Sequence, residues 1–584
     1  LADDTLRNVT LTNGDKFAYG MNAAPYEERA SYTGRTYQDV YTVDLKTGAR
    51  KLLQTRKPTG AMSTAPDGHH AIFWGRDANW WAMDLATGDS VNITRTVPVS
   101  FANTEDDHNN LFPPAAGARG WSRDNKYVLL SDGWDIWKVA VSPGEPAVNL
   151  TGDGRRTQVR YQNLYRFEPA RTAAAGGRGG GRGGASAADG IDLSQPLLIS
   201  TYGEWTKKEG IARVEPGQPG ARSLMSDDAR FNVMKARDAD TYLYTRQTFT
   251  EYPNYWVFGA NFAPGYRITD ANPQVKDLAW SSGTRLINYT SAKGDKLQGA
   301  LYLPANYEPG KKYPMLVTIY EKRSQGKNSF VSPSETRAPD PSLYTSRGYI
   351  VFDPDIVYKI NDPGMSAVWC LLPAVKAAIA TGMVDAKHVG LWGHSWGGYQ
   401  TAFMVTQTDI FAAAIAGAPL TNMVSMYASV YWNTGASDAA IFESSQGRFK
   451  GNFIDNYEAY IRNSPVFHAD KVHTPLMILA NDKDGAVDFN QGVTYFNTLR
   501  QLGKEVVFLE YVGENHGLAK PVNQKDYAVR MAEYFDHYLK GAPAPDWLKS
   551  GIPRIRMEDH LQARKDSAAK ALEPPAAGGT GGNR

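Results

Sequence analysis

The sequence predicts an N-terminal all-β propeller array over residues 1–280, followed by an α/β domain over residues 281–555. Three observations predict this. Strand-and-turn units recur through the first half, apolar runs alternate with helical stretches in the second, and 584 residues are too many for one ordinary domain.

In the first half, one recurring unit is a strand that ends in a turn: DVYTVDLKTG (39–48), NWWAMDLATG (79–88) and DIWKVAVSPG (135–144). A second unit precedes each: NGDKFAYG (13–20), PDGHHAIFWG (66–75) and RDNKYVLLSD (123–132), with RDADTYLYTR (237–246) as a later match. Turns carrying Asp, Asn or Gly and leading into β-branched or aromatic residues are hairpin chemistry. The matching positions Asp44, Asp84 and Ala140 lie 40 and 56 residues apart, near the roughly 40–50 residues of a four-stranded propeller blade. About five blades fit before residue 275, which sits awkwardly with a seven- or eight-bladed ring. The chain opens LADDTLRNV with no initiator Met, so the propeller is read as incomplete, with blades expected upstream. A β-sandwich with irregular strands is the competing all-β architecture. Residues 173–190, AAAGGRGGGRGGASAADG, cannot bury a core and read as a flexible Gly/Arg-rich insertion.

From about residue 283 the pattern changes. MLVTIY (315–320), YIVFDP (349–354), VGLWG (389–393), AAAIAGA (412–418), PLMILA (475–480) and VVFLEYV (506–512) read as buried strands. Most alternate with helical stretches at 365–381, 396–407, 490–502 and 524–540, the signature of a parallel sheet covered on both faces. The end of the chain, 560–584, closing EPPAAGGTGGNR, reads as a disordered tail.

Composition narrows the function classes. A formal net charge of +2 implies no pull toward nucleic acid or an anionic membrane. No uninterrupted apolar run reaches the roughly 18 residues of a membrane span. Cys370 is the only cysteine, which excludes an intrachain disulfide and a cysteine-based zinc site. That is compatible with a reducing cytosol and with a disulfide-free exported protein.

The chemistry centres on Gly393-His394-Ser395-Trp396-Gly397, which follows a buried strand and opens a helix. The motif alone is cheap in a chain with 55 glycines, but strand–turn–helix is the setting of a nucleophile elbow. A serine hydroxyl needs a base to take its proton, and the base needs an orienting acid. In this sheet type the partners follow in the order Ser, Asp, His, each after a strand. After PLMILA come three carboxylates, Asp482, Asp484 and Asp488; after VVFLEYV comes Gly513-Glu514-Asn515-His516-Gly517. His516 alone among ten histidines follows the acid and ends a strand in a glycine-flanked loop.

Residues 283–553 resemble the catalytic domain of the prolyl oligopeptidase family of serine peptidases, which are α/β-hydrolases. The resemblance rests on GHSWGGY (393–399), the D-x-x-V loop (484–487), ENHG (514–517) and the closing YLKGAPAPDWL (538–548). An upstream β-propeller is that family's architecture, and the bacterial branch near dipeptidyl-peptidase IV and acylaminoacyl-peptidase is the most similar. The resemblance implies Ser395 as nucleophile, Asp484 as acid (Val487 matching the family's loop) and His516 as base. It implies an oxyanion hole from the Tyr320 hydroxyl and the Trp396 amide, and a substrate pocket lined by Tyr427, Tyr431, Trp432 and Val487. It implies short or unfolded peptides as substrates, with no metal or organic cofactor, and with a homo-oligomer compatible. The bacterial relatives and the missing start point to a periplasmic or secreted protein, though a cytoplasmic one fits too.

Two departures stand out. The acid loop opens Ala480-Asn481 where relatives often carry His-Gly. The glutamate pair with which dipeptidyl peptidases grip a free amino terminus has only Glu27-Glu28, in PYEERASY, as an adjacent pair, in a context that does not match. A carboxylesterase using the same triad, and a binding protein built on an inert propeller–hydrolase scaffold, are the rival readings.

Overall fold

Apolar side chains in the C-terminal half alternate between two cores, and that alternation fixes the sheet. In this computed structural model residues 2–571 are described, except 14–16, 59, 61, 166–189, 237–238, 260–261, 263–264 and 553; the insertion expected at 173–190 lies, but for Gly190, outside the described residues. Eight strands form one sheet: β1 Thr284–Thr290, β2 Lys296–Tyr302, β3 Tyr313–Ile319, β4 Ile350–Pro354, β5 Val384–His394, β6 Ala413–Gly417, β7 Leu476–Leu479 and β8 Val506–Leu509. Their order is β1-β2-β4-β3-β5-β6-β7-β8. β2 runs antiparallel to β1 and β4, and every other pairing is parallel. This is the α/β-hydrolase arrangement.

Successive strand residues point to opposite faces. Val317, Ala414, Ala416 and Ile478 therefore join one buried cluster, while Leu316, Ile415, Met477 and Leu479 join another. The helices that cover these faces are α2 Pro363–Ala380, α3 Trp396–Met404, α5 Phe489–Gln501 and α6 Pro521–Lys540, with the short α4 Ala439–Glu443 between α3 and α5. α6 closes the second core with Tyr527, Met531, Phe535 and Leu539, an i, i+4, i+8, i+12 stripe.

α2 is long and apolar enough by composition to cross a bilayer, which a search for uninterrupted apolar runs missed. More than half of it is buried within this domain, as a core helix packed on the sheet. It carries Cys370, whose Sγ hydrogen bonds the Val357 carbonyl at 3.5 Å; burial pushes its thiol pKa up to about 12. Residues from 560 onward were expected to lack structure. Instead α7 spans Met557–Ala571, with Glu558 and Asp559 in its first turn, where the helix dipole favours them. His560 Nε2 lies 3.3 Å from Arg530 Nη2 of α6.

The described residues of the first half form five four-stranded antiparallel sheets, over 8–58, 62–92, 118–149, 159–227 and 230–267. Within each, strands pair in chain order. Asp44, Asp84 and Ala140 close the third strands of the first three sheets, which explains their recurrence in the sequence. Each sheet packs on the next. Leu53 meets Phe73 and Met83, Ile72 and Trp80 meet Val128 and Trp137, Leu129 and Ile136 meet Ile199 and Ala212, and Leu198 and Ile211 meet Val233 and Tyr244. Among the described residues no buried cluster joins the first sheet to the fifth.

The two halves touch along an extended seam, including Lys327 with Asp228 and Gln298 with the Trp205 carbonyl. The helix Glu27–Thr33 (α1) packs against α4, with Gly34 so close to Ala440 that a Cβ there would collide. Further along, Asn109 Nδ2 donates to the carbonyls of Glu443 and Phe449 at 3.0 and 2.9 Å.

Candidate active site

The turn between β5 and α3 holds Ser395 at φ 59° and ψ −120°, a left-handed conformation that costs a non-glycine residue roughly 1–3 kcal/mol. Neighbouring backbone enforces it. Ser395 N donates to the Gly417 carbonyl at the end of β6 (2.8 Å), and the Ser395 carbonyl accepts from Tyr399 N (2.9 Å). The flanking glycines are needed for space: a Cβ at Gly397 would sit 2.5 Å from the Ile319 carbonyl, and one at Gly393 or Gly398 would strike the carbonyl of Gly397 or Gly417. The elbow is thereby clamped between β3 and β6, with the hydroxyl half-buried.

Asp484 lies in the loop after β7 and is almost wholly buried. Its Oδ1 accepts from the amides of Ala486 (2.8 Å) and Val487 (2.9 Å). Its Oδ2 lies 2.9 Å from His516 Nδ1. The two other carboxylates of that loop are engaged elsewhere: Asp482 accepts from Gly513 N (2.6 Å), and Asp488 caps α5. His516, in the loop after β8, brings its ring centroid to 4.9 Å from that of His394, next to Ser395 in the chain. Burial and the adjacent His516 push the His394 pKa down to about 4, so His394 is neutral at pH 7. Among the described residues neither the Ser395 hydroxyl nor His516 Nε2 makes a hydrogen bond. Such contacts often tighten only when substrate binds.

Three asparagines, of which Asn433 was not singled out in the sequence, lock the loops together. Asn481 Nδ2 donates to the Asn515 carbonyl at 2.7 Å. Asn515 Oδ1 accepts from Gly485 N (2.9 Å) and His516 N (2.6 Å). Asn515 Nδ2 donates to Asn433 Oδ1 at 2.9 Å. The acid loop, the base loop and the hairpin of Val430–Tyr431 with Ala436–Ser437 form one unit.

Tyr320 follows β3 by one residue, and its ring edge stands 3.5 Å from a Cβ position at Gly397, so it packs against the first turn of α3. Its hydroxyl accepts from Gln446 Nε2 at 2.7 Å. The Trp396 amide opens α3, and the Trp396 ring is fully buried. Tyr427 packs in an aromatic cluster with Phe442, Phe453 and Tyr460, its hydroxyl donating to Glu443 at 2.6 Å. Tyr431 lies on the hairpin, Trp432 at its tip is 66% exposed, and Val487 is buried in the core. Glu27 and Glu28 form the exposed first turn of α1, and Glu27 pairs with Arg7 at 3.2 Å.

Asp438, next to the hairpin, is fully buried with both carboxylate oxygens unpartnered among the described residues. Burial, then nearby Asp488, raises its pKa to about 7. Its folded pKa exceeds the unfolded value of about 3.9, so the native state binds the extra proton. Stability therefore falls as pH rises from about 4 to 7 and stays low above that. Asp438→Asn is expected to melt about 5 °C above the parent at pH 8, with the gap shrinking steadily as the pH falls and closing near pH 4, as measured by calorimetry.

Asp106, Asp107 and His108 place three potential ligand atoms within 4.8 Å of one another, but Asp107 is already bound to Arg448 and to the Tyr358 amide. Its donors do not fit a free cation site.

Residues 370–542 match the family described as "Prolyl oligopeptidase family". The acylamino-acid-releasing enzyme of Arabidopsis thaliana is 32% identical over 175 residues, 29% of this chain and 22% of that protein. Dipeptidyl-peptidase 5 of Porphyromonas endodontalis is 24% identical over 277 residues, 44% of this chain and 37% of that protein. The chain thus spans less than half the length of these curated relatives. Among solved structures, a putative dipeptidyl aminopeptidase IV from Bacteroides ovatus superposes with a TM-score of 0.63 at 14% identity, covering 91% of this chain and 77% of its own. The acylaminoacyl peptidase of Pyrococcus horikoshii gives 0.52 at 14% identity, covering 94% and 91%; at such identities the likeness is one of fold. With a strained serine after β5, an aspartate after β7 and a histidine after β8 on this sheet, residues 370–542 are the part of the chain that matches the prolyl oligopeptidase family.

Proposed function

We propose that this chain is a serine peptidase that hydrolyses peptide bonds of short or unfolded peptides through an acyl-enzyme intermediate. The observation that carries the reading is the Asp484–His516 pair, 2.9 Å apart, delivered by adjacent loops to the strained Ser395. Asp484 accepts a hydrogen bond from His516 Nδ1–H, so the His516 Nε2 lone pair is left for the serine hydroxyl. Ser395 Oγ attacks the scissile carbonyl as Nε2 takes its proton. The Tyr320 hydroxyl and the Trp396 amide at the start of α3 stabilise the oxyanion. Collapse releases the amine, which takes the proton from His516, and water then attacks the acyl-serine by the same steps.

In this reading the five N-terminal sheets are propeller blades within 1–280, covering the catalytic domain of 281–555. The sheet-upon-sheet packing and the likeness to the Bacteroides structure support it. A cavity of about 500 Å³ between the halves, lined by Asp107, Arg160, Trp205, Lys322 and Tyr358, offers room for an extended peptide. Trp432 and Tyr431, on the hairpin tied to the acid loop, supply flat apolar walls for the residue before the cut. The Glu27-Glu28 turn, held against α4, supplies a carboxylate pair for a free amino terminus, which favours dipeptide release.

The test is labelling with a fluorophosphonate probe together with turnover of a dipeptidyl anilide against a short-chain ester. Labelling and anilide hydrolysis are expected. No labelling would make the scaffold an inert binding protein, and ester turnover without anilide turnover would make it a carboxylesterase. Tyr320→Phe is expected to lower kcat by about 10–10³ with KM nearly unchanged, read by steady-state anilide kinetics.

A further inference from the structure

Arg448 is buried at 1% exposure, and a buried guanidinium is tolerated only where its charge and donors are matched. Here every partner leads to Tyr320. Arg448 Nη1 donates to Glu321 Oε1 (2.8 Å), on the residue after Tyr320, and to the main-chain carbonyl of Gln446 (2.9 Å). The Gln446 side chain in turn donates to the Tyr320 hydroxyl at 2.7 Å. The guanidinium stacks 4.0 Å from the centre of the Tyr358 ring, and the Tyr358 hydroxyl donates to the Tyr320 carbonyl at 3.0 Å.

The remaining contact crosses between the halves of the chain. Asp107 lies between the second and third N-terminal sheets. Its Oδ1 accepts from Arg448 Nη2 at 2.8 Å and from Nε at 3.3 Å. Its Oδ2 accepts from the Tyr358 amide at 2.8 Å. Tyr320 is therefore gripped at its hydroxyl, its carbonyl and its following residue, and all three grips meet at the Asp107–Arg448 pair. A phenol that accepts a hydrogen bond from an amide keeps its own hydrogen for another acceptor and donates it more strongly.

We propose that Gln446 and Arg448 are positioning residues that aim the Tyr320 hydroxyl, and that Asp107 of the N-terminal half completes their bracket, so that docking of the two halves sets the oxyanion donor. The proposal rests on the role given to Tyr320 above. An incorrectly aimed donor loses transition-state binding while substrate binding is kept.

The test is a set of double-mutant cycles on the full chain with a peptide anilide. Asp107→Asn removes the charge while keeping the shape, and Gln446→Leu removes only the bond to the hydroxyl. Each is expected to lower kcat about 10-fold with KM within about 2-fold, and to change kcat less than about 2-fold in a Tyr320→Phe background. A merely structural role would lower the melting temperature and cost the same in both backgrounds. Full kcat in both single variants, or losses that persist undiminished with Phe at 320, would overturn the proposal. Should Asp107→Asn fail to fold, the Gln446→Leu cycle decides alone. If Tyr320→Phe itself keeps full kcat while Ser395→Ala is dead, the oxyanion assignment fails and the bracket with it, leaving the serine mechanism standing.

Discussion

Ser395→Ala is expected to lower kcat by roughly 10⁵–10⁶, as loss of a triad nucleophile does, and to abolish fluorophosphonate labelling. The fold is expected to survive. The serine hydroxyl makes no hydrogen bond among the described residues, and its backbone is held by the Gly417 carbonyl and Tyr399 amide, which alanine keeps. A melting temperature within about 2 °C of the parent would show that the loss is chemical. Near-full anilide turnover by the alanine variant would sink the mechanism.

The second large effect comes from Asp484→Asn, for a reason specific to this loop. Oδ1 of Asp484 is fixed as an acceptor by the amides of Ala486 and Val487. An asparagine would keep its oxygen there and turn its NH₂ toward His516 Nδ1, where Oδ2 now lies 2.9 Å away. Facing a donor, Nδ1 must present its lone pair, which places the ring proton on Nε2 against the serine. That tautomer cannot take the serine proton, and a loss of about 10⁴ in kcat is expected. Steady-state kinetics at pH 7 checks it, with the melting temperature as control. Asp482→Asn and Asp488→Asn should each retain activity within about 10-fold, since those carboxylates serve a loop amide and a helix cap.

Much of this was legible in the sequence because it is periodic or local. The six apolar runs became six of the eight strands of the main sheet, since a strand buried on both faces reads as continuous hydrophobicity. Asp44, Asp84 and Ala140 mark equivalent strand ends because each four-stranded sheet of the first half is a simple meander. The strained serine announced itself through glycines whose missing side chains make room for backbone. What escaped notice is long-range and polar. Asn433 meets Asn515, 82 residues away, and Arg448 meets Asp107 across 341. Single polar residues carry no period, so their partners emerge only when strands bring distant loops together. α7 was hidden for a different reason: a polar, alanine-rich stretch reads alike as helix or as coil.

The lone thiol has a practical bearing on how the protein can be watched. Cys370 sits inside α2 with an ionisation too high for neutral pH, and it is the chain's only sulfhydryl. Reaction with an alkylating agent must wait until that helix leaves the sheet. Alkylation rate therefore times the opening of the catalytic core, a native clock that needs no introduced label and that substrate analogues should slow.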